Sequence, residues 1–218
     1  MKVSIIIPVY NEERTILKVI ASLEQAFKDT ACEIIVVNDG STDKTHELCA
    51  NVPGILYISL PQNQGKGFAL RNGFINAKGA FTAIQDADLE YSPIILRELV
   101  NQAETNKVIY GKRDRKKGYL LNKVGNAFLS WLCNLLYGSK LFDIYTCYKI
   151  IPTDILQSLE LTSNGFEIEA EITAKLLKKK IGITEIPITY TPRSFGDGKH
   201  IRAHDALIGI WTLIKNRF

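Results

Sequence analysis

The sequence is poor in the residues that staple a chain together or sink it into a bilayer. Four cysteines (Cys32, Cys49, Cys133 and Cys147) are scattered through 218 residues with no C-x-x-C pair. That pattern excludes a cysteine zinc site and a disulfide framework, and it points to a reducing compartment. Long apolar runs are missing too. The uncharged stretch Val124–Ser139 is 16 residues long and includes Asn126, Ser130 and Asn134, short of the roughly 20 apolar residues that a spanning helix needs. No transmembrane segment is expected. In the opening MKVSIIIPVYNEE, acidic residues arrive too soon for a signal peptide. Two phosphate signatures are also absent. Gln64-Gly65-Lys66-Gly67 lacks Walker-loop spacing, and no G-x-G-x-x-G opens the first helix, which disfavours dinucleotide binding. No internal repeat, low-complexity segment or linker interrupts the chain, so a single domain over 1–218 is expected.

What is present describes a globular protein: 46% hydrophobic, 23% charged, mean hydropathy +0.00. The net charge of +4 is unevenly spread. Residues 1–110 hold 10 basic and 13 acidic side chains, and residues 111–218 hold 17 and 10, so −3 stands beside +7. The basic half is suited to an anionic partner or simply presents a solvated face. Buried-strand runs alternate with amphipathic stretches. Strands are expected at Lys2–Pro8, Glu33–Val37, Ile55–Ser59, Ala80–Gln85 and Val108–Tyr110. Helices are expected at Asn11–Lys28, with Ile16, Leu17, Ile20, Leu23 and Phe27 on one face, then Ser41–Ala50, Gly65–Ala77 and Ser92–Glu104. Beyond residue 111 come helices at Leu120–Leu136, Thr153–Leu159, Gly165–Lys180 and about Arg202–Lys215. Strands there are Thr146–Ile151, then Thr184–Ile186 and Ile188–Thr191 interrupted by Pro187. The fold class is therefore α/β, a mostly parallel sheet with helices on both faces, whose ligands bind beyond the carboxyl ends of the strands.

Polar residues stand at those ends. Pro8-Val9-Tyr10-Asn11-Glu12 follows the first strand, Asn38-Asp39-Gly40-Ser41-Thr42-Asp43 the second and Gln85-Asp86-Ala87-Asp88 the fourth. Asn11, Ser41 or Thr42 could cap helices, and Asp39-Gly40 could form a turn. In extended backbone, Asp86 and Asp88 point the same way, about 7 Å apart at Cα. Two such carboxylates repel unless a cation joins them, and hard oxygen ligands suit Mg2+ or Mn2+ bound together with a substrate phosphate.

The strings IIIPVYNEE, VVNDGSTD, NQGKGFALRNG and QDADLEYSP, in this order and spacing, resemble family 2 glycosyltransferases of the GT-A (Rossmann-like) fold. The polyprenyl- and dolichyl-phosphate sugar transferases are the group most similar. The resemblance continues through YGKRDR, DIYTCYK, GFEIEAEITAKL and EIPITYTPRSFGDGKHIRAHDAL and so covers almost the whole chain. It implies that residues 1–110 form a nucleotide- and metal-binding half and residues 111–218 an acceptor half. Pro8, Tyr10 and Glu12 would hold base and ribose, and Asp39 would contact the base. Asp86 and Asp88 would bind metal and the donor diphosphate, with Ala87 letting the backbone approach. Lys66 and Arg71 would line the donor side or simply begin the third helix. Arg113, Arg193 and Lys199 match basic positions that face phosphate. Glu90 stands where this group often has Gln.

The activity implied is inverting transfer of a hexose from a UDP- or GDP-sugar to a polyprenyl phosphate. A lipid phosphate needs no general base. A hydroxyl acceptor would need one, for which Glu167 and Glu169 are the candidates unless they cap a helix. The rival of another class is a nucleotide-sugar-binding or membrane-scaffold protein without turnover. Lys112, Arg113, Arg115, Lys116 and Lys117, followed by the apolar Leu120–Leu136 helix with Trp131, fit peripheral contact with the cytoplasmic face of a membrane. The alternative for that helix is packing on the sheet or in a homodimer, which is also the expectation for the last helix. The basic cluster lacks the interleaved aromatics of a nucleic-acid platform, so no nucleic acid is expected. His200 and His204 share i, i+4 spacing but have no third His nearby, and they read as exposed helix residues.

Overall fold

A computed structural model describes residues 2–114, 120–192 and 203–218. The elements run β1 (Val3–Val9), α1 (Ile16–Phe27), β2 (Cys32–Asn38), α2 (Thr45–Ala50), β3 (Ile55–Ser59), α3 (Lys66–Asn76), β4 (Phe81–Ile84) and α4 (Pro93–Val100). They continue with β5 (Val108–Arg113), α5 (Leu120–Tyr137), β6 (Lys149–Pro152), α6 (Thr153–Gln157), α7 (Ile168–Lys178), β7 (Ile183–Ile188) and α8 (Ala203–Arg217). The seven strands form one sheet in the order β3-β2-β1-β4-β6-β5-β7. β1 lies parallel to β2 and β4, β2 to β3, and β5 to β7. The mostly parallel α/β sheet is thus the one the alternating pattern implies.

β6 departs from it, running antiparallel to both β4 and β5. The reason lies in α5, which packs with α7 and α8 around Leu129, Cys133, Ala170, Ala174 and Leu213 instead of crossing back over the sheet. The chain then re-enters the sheet at the edge it left. That reversal brings Cys147 and Lys149 to the carboxyl end of β4.

The central β1 is sealed on both faces, with Ile5, Ile6 and Ile7 fully buried, as its β-branched run requires. α1 lays Ile16, Val19, Ile20, Leu23 and Phe27 on the sheet; burying each such side chain contributes about 1.5–3 kcal/mol. Leu17, expected on that face, is exposed instead. α1 also starts later than Asn11, because Asn11 holds a left-handed φ of 54° that no helix interior accepts. The two strands expected around Pro187 are one strand, β7. Pro187 is tolerated because, among the described residues, β7 is the sheet's edge and pairs only with β5.

Candidate active site

The loops after β1 and β2 lock into each other. Asn11 N–H donates to Ser41 Oγ at 2.9 Å, and Thr42 N–H donates to Asn11 Oδ1 at 2.8 Å. Glu12 N–H donates to Thr45 Oγ1 at 2.9 Å, and Glu13 N–H to Asp43 Oδ2 at 3.1 Å. Asn11, Ser41 and Thr42 therefore bridge two loops and do not cap helices. Glu12 accepts from Thr15 Oγ1 at 2.7 Å, while Tyr10 stands exposed beside it and Pro8 pairs with Val37 in the sheet. Asp39 is buried and takes the Gln64 and Gly65 N–H groups at 2.9 and 2.8 Å. Burial pushes its carboxyl above the ordinary value, against the pull of those two donors. Asp39 thus ties the second loop to the start of α3.

Gly65 and Gly67 let that start come close to the segment before α7. Gly65 has φ +101°, and a Cβ there would sit 2.4 Å from the Asn164 carbonyl oxygen; at Gly67 one would meet the Ser163 carbonyl at 2.6 Å. Arg71 completes the junction, donating to the Thr162 carbonyl at 2.7 Å and to Asn164 Oδ1 at 2.8 Å. Arg71 therefore joins two segments of protein.

Lys66, at the first turn of α3, reaches Asp86 Oδ1 at 2.8 Å and Glu169 Oε1 at 3.2 Å. Glu169 is also bound by Lys149, which donates to the Thr146 carbonyl at 2.5 Å as well. The inner pair is sealed, with side-chain exposure of 0% for Lys149 and 3% for Glu169. The outer pair opens to solvent, with 15% for Lys66 and 23% for Asp86. Burial works against the charged form of Asp86, but Lys66, Cys147 and Lys149 outweigh it and hold the carboxyl below its ordinary value. The same attraction from Asp86 and Glu169 overcomes burial and raises Lys66 well above its own.

Asp88 does not continue an extended strand. β4 ends at Ile84, and the chain turns at Ala87 and Asp88. Asp88 Oδ1 accepts the Glu90 N–H at 3.0 Å, with Leu89 at φ 61°. This turn, rather than strand alternation, aims the two carboxylates, and buried Ala87 lies between them. Glu90 is buried and accepts from the Tyr190 hydroxyl at 2.8 Å, while its carbonyl takes the Thr191 N–H at 3.1 Å. The Asp86–Asp88 turn is thereby tied to the chain just after β7.

Arg113 is occupied by protein. Its Nε and Nη2 donate to Asp143 at 2.6 and 2.8 Å, Nη2 also to the Tyr145 carbonyl at 3.0 Å, and Nη1 to the Tyr91 hydroxyl at 3.2 Å. Tyr190 lies beneath the guanidinium at 5.4 Å. Arg193 and Lys199, expected to face phosphate, lie outside the described residues, as do Arg115, Lys116, Lys117 and His200. His204 is exposed and 3.2 Å from Asp205.

The two carboxylates weighed as general bases are engaged elsewhere. Glu167 Oε1 accepts from Gly165 and Asn164 N–H groups at 3.0 and 3.2 Å, and Glu169 lies between two lysines. Lys149 and Asp143 are the residues that sequence reasoning did not single out, and Glu169 was weighed only as a base. Lys149 left one signal, a charge inside the apolar run of β6.

The donor set at the end of β4 fits a hard divalent cation. It offers carboxylate oxygens from Asp86 and Asp88, one of them held ionised and both partly exposed. Among the described residues, no group of three or more His, Cys, Asp or Glu forms a complete cage, so a bound cation would take further ligands from a substrate.

Away from this edge, α5 exposes Val124, Phe128, Trp131 and Leu135 along one face, and α8 exposes Leu207, Ile208 and Trp211. The two helices pack on each other. α8 therefore contributes Leu213 to the core, as expected, and an outer apolar face besides. No helix among the described residues is long and apolar enough to cross a membrane.

Residues 4–157 match the family described as Glycosyl transferase family 2. The low-salt glycan biosynthesis hexosyltransferase Agl6 of Haloferax volcanii is 30% identical over 216 residues, covering 91% of this chain and 52% of that protein. Dolichol-phosphate mannosyltransferase of Pyrococcus furiosus is 28% identical over 211 residues, covering 91% of this chain and 59% of that protein. This chain thus spans between half and two thirds of the length of these relatives. The crystal structure of glucosyl-3-phosphoglycerate synthase from Mycobacterium tuberculosis with Mn2+, uridine diphosphate and phosphoglyceric acid superposes with a TM-score of 0.77 at 20% identity, over 99% of this chain and 78% of that one. This likeness is one of fold, the GT-A α/β architecture.

Proposed function

From the premise that the chain belongs to glycosyl transferase family 2, we propose that it is a metal-dependent, inverting hexosyltransferase. It moves a hexose from a nucleotide sugar to a polyprenyl phosphate at the cytoplasmic face of a membrane. The observation that carries this reading is the Asp86–Asp88 turn, with Asp86 held ionised by Lys66, at the same end of the sheet as the interlocked loops after β1 and β2. Pro8, Tyr10, Glu12 and Asp39 line the nucleoside side of that edge. Asp86 and Asp88 would hold Mg2+ or Mn2+, which when bound neutralises charge on the departing nucleoside diphosphate. Buried Ala87 leaves room for the donor against the backbone.

The acceptor assignment draws on the engaged carboxylates. A hydroxyl acceptor needs a base within reach, yet Glu167 is bonded to backbone N–H groups and Glu169 to two ammonium groups. A phosphate acceptor is already an anion. Its oxygen attacks C1 of the hexose in line as the bond from C1 to the diphosphate oxygen breaks, the electron pair leaves with the nucleoside diphosphate, and the anomeric centre inverts. Arg193 and Lys199 are proposed to hold the acceptor phosphate. Arg113, through its bonds to Asp143, Tyr91 and Tyr145, shapes the wall between the two halves. The polyprenyl class is further supported by the Pyrococcus furiosus relative, whose name specifies dolichol phosphate, and by the apolar faces of α5 and α8.

The acceptor is tested with a labelled nucleotide hexose and Mn2+ against polyprenyl phosphate, 3-phosphoglycerate, a free sugar and a peptide. Product from polyprenyl phosphate alone is expected. Product only from 3-phosphoglycerate or a hydroxyl acceptor would overturn the lipid assignment while keeping the donor half.

A further inference from the structure

Lys66 has two carboxylate partners of unequal character. Asp86 lies at the open edge of the site, whereas Glu169 is sealed beneath it and anchored by the fully buried Lys149. The ammonium can therefore release Asp86 and keep its contact with Glu169, whose single charge it then shares with Lys149. Among these five side chains alone, Lys66 and Lys149 set against Asp86, Asp88 and Glu169 leave one negative charge in excess. A divalent cation alone turns this into one positive charge. The two negative charges of a nucleotide-sugar diphosphate return it to one negative charge. Without Lys66, a divalent cation alone would already balance the set.

We infer that Lys66 is the positioning residue that couples metal to nucleotide: its ammonium on Asp86 weakens the hold on a lone divalent cation and relaxes toward the diphosphate when the two are bound together. This rests on the proposal that Asp86 and Asp88 hold the metal. The sign follows from Coulomb repulsion between an ammonium and a divalent cation that share one carboxylate. It is opposite to what a scaffolding role predicts, because loss of a scaffold loosens the metal. Reciprocity requires that whatever the nucleotide adds to metal affinity, the metal adds to nucleotide affinity.

The test is a Mn2+ titration of the full chain, following free Mn2+ by electron paramagnetic resonance, alone and with saturating UDP or GDP. In the wild type the better of the two nucleotides tightens Mn2+ binding. In Lys66→Met, Mn2+ alone is expected to bind about tenfold tighter, and the enhancement by nucleotide shrinks. Lys66→Arg, which keeps the cation, retains the wild-type pattern. If Lys66→Met fails to fold, as judged by thermal melting, Lys66→Gln takes the same titration. Mn2+ binding that is unchanged or weaker in the folded neutral variant overturns the inference. Asp88→Ala separates the two readings. If the wild type binds Mn2+ no better than Asp88→Ala in any condition, the metal assignment itself fails. If Asp88→Ala loses binding and the neutral variant gains none, only the role of Lys66 fails.

Discussion

Glu171, one turn into α7, is almost wholly buried and accepts N–H groups from Thr162 and Ser163, with Lys175 at 2.8 Å. Burial opposes its charge, but Lys175 and these donors outweigh that and lower the carboxyl below its ordinary value. The folded state therefore binds this proton more weakly than the unfolded chain. The stabilisation is present above the ordinary carboxylate range and lost as pH falls toward the folded value. Glu171→Gln is expected to cost about 1–3 kcal/mol at pH 7 and progressively less in acid, measured by urea melts at pH 7 and pH 4. A difference that does not vary with pH would contradict this. Gly65→Ala forces a Cβ to within 2.4 Å of a carbonyl oxygen at φ +101° and is expected to cost about 1–3 kcal/mol, with nucleotide affinity falling as Lys66 shifts. Asp39, Asp86 and Asp88 were legible as candidate site residues because they follow strands within short, distinctive strings. The partners of Lys66, Arg113 and Glu90 were not. Glu169, Asp143 and Tyr190 lie 103, 30 and 100 residues away, and local periodicity carries no information on such pairings. Arg113 shows the consequence: the pattern matched it to phosphate, and nothing near it in sequence announced its bidentate pair with Asp143.

At the scale of elements, strands were more legible than helix starts. A continuous β-branched run such as Ile5–Ile7 fits one environment, whereas α1 and α2 begin late because side chains of each preceding loop accept backbone N–H groups of the other. The reversal of β6 was hidden because direction is set by where α5 docks, not by the strand's own residues. α5 itself was ambiguous between core and surface, and it does both. Leu129 and Cys133 are buried, whereas Trp131 is 57% exposed and Leu135 66%. Exposed apolar side chains with Trp at the rim suit a lipid interface. The variant Trp131→Asp with Leu135→Asp is expected to change stability by no more than about 0.5 kcal/mol per site. It should nonetheless abolish pelleting with anionic liposomes. Pelleting that persists in the folded variant would refute this membrane face and leave transfer chemistry untouched.

Across the whole molecule, the +4 net charge resolves into an acidic half that carries the Asp86–Asp88 turn and a basic half whose Tyr190 bonds to Glu90 beside that turn. The β5–β6–β7 side brings Lys149 and Arg113 to the same end of the sheet as that turn, so the two halves meet along one sheet. A nucleotide bound at that edge together with Mn2+ is expected to raise the melting temperature more than either alone, because stabilisation follows occupancy of the folded state. Equal shifts from UDP with and without Mn2+, and likewise from GDP, would argue against a shared site. The most direct measurement is transfer of labelled hexose from a nucleotide sugar to polyprenyl phosphate by the wild type with Mn2+, by the wild type with EDTA, and by folded Asp88→Ala. Turnover in the first alone is expected, with a loss of at least about a hundredfold in the other two, the scale on which removing transition-state charge stabilisation acts. Undiminished transfer with EDTA or by Asp88→Ala would contradict a metal-dependent transferase built on the Asp86–Asp88 turn.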